Sequence, residues 1–195
     1  MTTMLRAVTA CVLLAAGSLL VQAQADKPPE WTPEEKELAD KATKLNREGV
    51  QLYGMGKVKE AAEKHAEALE IQWKLYPEKR FPDGHPDLAG SLSNMGFVLR
   101  ALGEPAKALP YYEQALAMRK KLYPPQRFKD GHPELAQSLN NLGVVLHMLG
   151  EPAKALPYHK QGLDMYRKLY PQERFPTATP NWQPASTTWA LCTGS

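Results

Sequence analysis

Cysteine is nearly missing from this chain. Two occur in 195 residues, Cys11 in an apolar leader and Cys192 near the end. If the leader is removed, only Cys192 stays, no intrachain disulfide can form, and stability has to come from packing. A charge excess of one sign is missing too. The formal net charge is +3, from 24 basic and 21 acidic side chains. There is no basic stripe, so nucleic-acid binding has no electrostatic support. Catalytic and phosphate-binding signatures are absent: no H-E-x-x-H, no paired-cysteine spacing, no G-x-S-x-G, no G-x-x-x-x-G-K-[ST]. Gly54-Met55-Gly56 closes a helix instead of opening one behind a strand, which removes it as a phosphate loop. No constellation of acid, base and nucleophile is visible, and the chain is expected to be non-enzymatic, without cofactor or metal.

Long apolar runs are confined to the start. Arg6 is followed by an almost wholly apolar stretch, Ala7 to Val21. It is shorter than the ~20 residues a membrane-spanning helix needs. Val21-Gln22-Ala23 and Ala23-Gln24-Ala25 follow as A-x-A-like cleavage sites. A charged start, a short apolar run and small residues before a cut make residues 1–25 a secretory signal peptide, cut near Ala23 or Ala25. Retention as an anchor is the alternative. The stretch before Cys11 is too short for a lipoprotein signal. The expected location is outside the cell or in a periplasm, with no membrane contact after cleavage. Residues 26–32 read as a linker.

What the chain does have is repetition. Gly84 to Gly96, GHPDLAGSLSNMG, returns as GHPELAQSLNNLG from Gly131 to Gly143, an offset of 47 residues. LGEPAKALPY occurs letter for letter at Leu102–Tyr111 and Leu149–Tyr158. A weaker first copy keeps Gly49, Gly56, Ala61 and Leu75-Tyr76-Pro77 in register. A fixed period of this size marks a repeat architecture. The copies fall at about 38–83, 84–130 and 131–176, in an array spanning 33–176.

Each copy reads as two antiparallel helices. Pro86 suits a first helical turn, where its missing N–H costs nothing. Leu88, Leu92, Met95 and Leu99 then form one apolar stripe. Gly103 is a left-handed cap. Pro105 opens the second helix, whose inner face is Ala108, Tyr112, Ala115, Leu116 and Leu122. Pro110 and Pro157 predict a bend or a loosened first turn. In the first copy Thr32-Pro33-Glu34-Glu35 forms a capping box, so that helix starts early. Lys57 to Glu60 and Arg119-Lys120-Lys121 read as solvated faces.

Taking Ala89 as the first position, Leu92, Met95, Gly96, Leu99, Ala108, Tyr112 and Ala115 resemble the tetratricopeptide repeat. The HPELAQSLNNLG stretch resembles the longer repeats of the kinesin light chain type. The resemblance covers Leu38 to Phe175 and departs in length, 47 residues against about 34. It departs also at Glu48, His65, His159 and Gly162, which replace residues typical of the core. It implies an all-α fold, an α-solenoid of three tandem helix–turn–helix repeats in a right-handed superhelix. It also implies a protein- or peptide-binding scaffold with a concave groove lined by the first helices. Carried over by alignment, the groove positions are Asn46, Val50 and Tyr53; Ser93, Asn94, Phe97 and Arg100; and Asn140, Asn141, Val144 and His147. Asparagine amides offer a donor and an acceptor to an extended peptide backbone. The groove lacks the lysines that would clamp a C-terminal carboxylate. The partner is an unidentified protein or peptide. A self-associating structural array is the other reading, since the last helix pair lacks a polar capping helix.

The histidines fit this frame. His85 and His132 hold the same loop position in two copies and are expected to bond locally at helix starts. Stacked repeats keep such positions too far apart to share a metal. His65 and His159 fall at an inner-face position often filled by an aromatic. His147 stands alone on a first helix. Arg80, Arg127 and Arg174 follow the period and are expected to fix the loop.

After Phe175 the pattern stops. Residues 177–195 read as a disordered tail in frame. Read one nucleotide earlier, the codons permit D-G-H-P-E-L-A-A-S-L-N-N-L-G. Three junctions leave no choice: Asn181/Trp182 encodes only Leu, Trp182/Gln183 only Ala, and Trp189/Ala190 only Gly. All three are what a fourth copy demands. The tail is therefore expected to be the out-of-frame remnant of a fourth repeat.

Overall fold

In the computed structural model, residues 31–171 are described. The signal peptide, most of the linker, the expected tail and both cysteines lie outside them. The chain divides into two compact units, Met1–Glu34 and Glu35–Ser195. Of the first, only the lead-in and the first two residues of a helix are described. The second holds the helical array.

Six helices follow one another: α1 Pro33–Gly54, α2 Val58–Leu75, α3 Pro86–Ala101, α4 Pro105–Leu122, α5 Pro133–Met148 and α6 Pro152–Leu169. Among the described residues there is no strand. The helices form an all-α solenoid of successive pairs, α1–α2, α3–α4 and α5–α6. α1 has 22 residues against 16 for α3 and α5, the early start that its sequence predicts. No described helix is long and apolar enough to cross a membrane.

The turn inside each pair is dictated by glycine. Gly56, Gly103 and Gly150 have φ of 76°, 76° and 77°. Only glycine takes this left-handed conformation without steric cost. It lets the next residue's N–H reach back to the helix: Glu104 N–H donates to Leu99 O at 2.9 Å and Glu151 N–H to Leu146 O at 3.0 Å. This closing pattern satisfies carbonyls the helix end would orphan. Proline then opens α4 and α6. Both run on through Pro110 and Pro157. In their first turns one carbonyl serves two donors: Glu104 O accepts from Lys107 and Ala108, both at 3.1 Å.

A second glycine column sets how closely the paired helices approach. A Cβ on Gly96 would sit 3.0 Å from the Tyr112 ring, and on Gly49 or Gly143 2.7 Å from the His65 or His159 ring. The aromatic of the second helix therefore lies directly on the first helix's backbone. Around these contacts Leu99, Ala108, Tyr112, Leu116, Leu135, Leu139, Leu142 and Val145 form one buried cluster.

The loop between pairs is an aromatic clasp. Tyr76 stacks on His85 at 3.8 Å, and Phe81 meets both rings edge-on at 5.3 and 5.5 Å. Tyr76 Oη donates to Asp87 Oδ2 at 2.9 Å. The next loop repeats this: Tyr123 on His132 at 3.6 Å, Phe128 against both, and Tyr123 Oη donating to Glu134 Oε2 at 2.8 Å. Burial and the neighbouring carboxylate push Tyr123 up to about 12 and Tyr76 higher still, so both stay protonated donors. His85 and His132 cap α3 and α5, accepting at Nδ1 from the N–H of Asp87 and Glu134 at 3.3 Å. Arg80 and Arg127 lie over Phe81 and Phe128 at 5.6 Å. Arg80 also pairs with Glu35. The periodic histidines and arginines thus hold the loops.

Candidate interaction face

The first helices α1, α3 and α5 carry all eleven residues of the expected groove. Three of them meet. Tyr53 of α1 packs edge-on against Phe97 of α3 at 4.7 Å, and the Arg100 guanidinium lies over Phe97 at 5.3 Å. Val50, on the same helix as Tyr53, is 59% exposed. Val144 and His147 hold the corresponding places on α5 and are half-buried. The result is a mixed apolar, aromatic and cationic surface. Aromatics of this kind supply large contact area at low entropic cost.

Other expected groove residues serve the interior. Asn46 is engaged at both ends of its amide: it donates to Ser91 Oγ at 2.6 Å and faces His65 Nδ1 at 2.9 Å. Asn140 faces His159 Nδ1 at 2.8 Å. Ser93 is buried, donates to Ala89 O at 3.0 Å, and accepts from Arg119 at 3.1 Å. These three brace the face from below and do not present free polar groups on it. Asn94 and Asn141 are half-buried beside them.

One reading of the charged runs is corrected. Lys120 and Lys121 are exposed, and Lys57 pairs with Glu60 at the surface, but Arg119 is 5% exposed. Its guanidinium donates to Ser93 Oγ on α3 and to Ser138 Oγ on α5 at 2.5 Å. Nε lies 3.6 Å from the Glu134 carboxylate, outside hydrogen-bond range. Burial lowers its pKa, and Glu134 counters this. Arg119 therefore joins two neighbouring first helices through a second helix. The sequence held a usable signal: Ser91 and Ser138 recur 47 residues apart inside otherwise apolar stripes. A repeated hydroxyl in a core stripe needs a partner.

A related pattern runs through the copies. Where the first helix carries asparagine, at 46 and 140, the second carries histidine, at 65 and 159, and the two bond. Where it carries Ser93, the second helix carries Tyr112. Desolvation lowers the pKa of His65 and His159, which favours their neutral rings. Among the described residues no group of three or more His, Cys, Asp or Glu side chains is placed to hold a metal ion.

Comparison with known proteins agrees with this geometry. The family model described as tetratricopeptide repeat matches residues 40–121 and 126–168. BtubC (BKLC) from P. vanneervenii is similar in structure, with a TM-score of 0.53 at 22% identity over 75% of this chain and 52% of that one. Nearly identical TPR-like repeats from Podosopora anserina, named for kinesin light chain, give 0.53 at 20% identity over 83% of this chain and 68% of that one. A singly substituted form of those repeats gives 0.53 at 20% identity over 66% and 56%. The chain thus spans about half the length of two of these structures. No curated protein sequence matches it. With paired helices stacked at a 47-residue period, glycines under aromatic rings, and a family match over most of the array, the chain belongs to the tetratricopeptide repeat family.

Proposed function

We propose that this chain is an exported scaffold that holds an extended segment of another protein against the face made by α1, α3 and α5. Tetratricopeptide repeats generally mediate protein–protein interaction and are typically not enzymes. Each repeat contacts only its neighbours, so stacking yields an extended surface for recognition. The observation that carries the reading is the meeting of Tyr53, Phe97 and Arg100 from adjacent first helices. An apolar side chain of the partner packs beside Tyr53, Phe97 and Val50. Asn94 and Asn141 pair with its backbone, and Arg100 takes an acidic group.

The test is capture of partners from an extracellular or periplasmic fraction by the full chain. Two double variants are compared with it, Tyr53→Ala/Phe97→Ala and Asn94→Ala/Asn141→Ala. Loss of the same partner from both supports the face. A partner retained undiminished by both rules it out. Export is checked separately: the mature protein is expected to begin just after Ala23 or Ala25, read by N-terminal sequencing.

A further inference from the structure

The two ends of the array differ. On α4, Leu116 and Arg119 are 4% and 5% exposed, and Leu116 lies in one cluster with Leu135, Leu139 and Leu142 of α5. α6 repeats α4 in sequence, and its inward positions are as buried as their counterparts. Ala155 is 2% exposed, and Gly162 lies against the α5 backbone at Ala136. Its outward positions differ. Leu163 and Tyr166, at the places of Leu116 and Arg119, are half-exposed. Leu156, at the place of the packed Leu109, is 60% exposed, and Tyr170, third in the series of Tyr76 and Tyr123, 46%. Among the described residues no helix covers this face.

α1 closes the other end. Where α3 turns Leu88, Ser91, Met95 and Val98 toward the preceding pair, α1 has Lys41, Lys44, Glu48 and Gln51. Burying these against α6 would desolvate charges without partners. A second copy therefore has no free helix that fits, because its α3 and α5 are already packed within their own array.

We propose that the outer face of α6 docks an amphipathic helix of the α3 and α5 type, supplied by a different polypeptide that carries repeats of this class. The interfaces within the array define its chemistry. It opens with His-Pro followed by Asp or Glu, as at 85–87 and 132–134. It then places leucines and a serine on one side, matching Leu156, Leu163 and Tyr166. The site is separate from the face of α1, α3 and α5.

The experiment titrates the full chain with a synthetic peptide of residues 129–148, the chain's own α5 with its lead-in. It is followed by peptide helicity and by amide shifts in α6. Saturable binding with shifts confined to α6 is expected. Leu156→Asp, a change at an exposed position, should weaken it about tenfold or more. Leu135→Asp in the peptide should do the same, and Phe97→Ala in the chain should leave it unchanged. Absence of saturable binding, or binding indifferent to Leu156→Asp, overturns the proposal. So does a dimer of the chain dispersed by Leu156→Asp, which would put a second copy on this face.

Discussion

Replacing Arg119 is the sharpest test of how the pairs are joined. The guanidinium is 5% exposed, donates to Ser93 and Ser138, and leaves Nε unpaired against a half-exposed Glu134. Arg119→Ala removes the stem that fills the α3–α4–α5 junction and leaves the Ser138 hydroxyl without this donor. Large-to-small core changes cost about 2–5 kcal/mol. Relief of a desolvated charge offsets part of this, so a net loss of about 2–3 kcal/mol is expected. Arg119→Met keeps the volume and removes the buried charge, and should stay within about 1 kcal/mol of wild type. Urea unfolding followed by circular dichroism gives both values. Hydrogen exchange locates the effect, since stability in repeat arrays is a sum of local terms. Protection should fall in α5 and α6 and hold in α1 and α2. A cost below about 0.5 kcal/mol for Arg119→Ala is the range of an exposed residue. It would refute the buried bridge. A methionine variant as damaged as the alanine would show that the charge, and not the volume, carries the junction.

The glycine column makes opposite predictions at two sites of one helix. Gly96→Ala forces a Cβ to 3.0 Å from the Tyr112 ring and should cost about 1–3 kcal/mol, whereas Gly90→Ala meets nothing within 4 Å and should gain up to about 1 kcal/mol. Thermal melts of the two variants decide it. Desolvation lowers His65, His85 and His159 from the ordinary 6.5, so the unfolded chain takes up protons first as pH falls. Stability should be flat above about 6.5 and decline below it until the folded rings titrate, as read by melting temperature against pH. A rise on acidification would contradict the neutral-ring assignment. The exchange Asn46→Ser/His65→Tyr imports the middle copy's pairing. Either single change should cost more than the double, giving a coupling of about 0.5–3 kcal/mol in a double-mutant cycle by urea unfolding. For the chain end, sequencing the gene across the codon for Phe175 is expected to restore the frame of a fourth repeat. A confirmed frame with no homologous reading one base earlier ends that idea.

The sequence by itself determined the period, the helix pairs and their ends. A 47-residue self-match needs no structure to be seen. Prolines at first turns, glycines at left-handed caps and three- and four-residue apolar spacing are local rules, satisfied within a few residues of chain. The same rules placed His85 and His132 at helix starts. Tertiary structure alone decided what the polar residues near the apolar stripes do, because their partners are far away in sequence. Arg119 in an Arg-Lys-Lys run looks like its neighbours until α3 and α5 close around it. Asn46, Ser93 and Asn140 belong to the expected groove by alignment, yet they turn to histidine or arginine on the second helix, since a buried amide or hydroxyl must find a partner. What was left at the face, Tyr53 against Phe97 beneath Arg100, depends on how near two successive first helices lie. That distance is fixed by packing between pairs, which no single stretch of sequence contains.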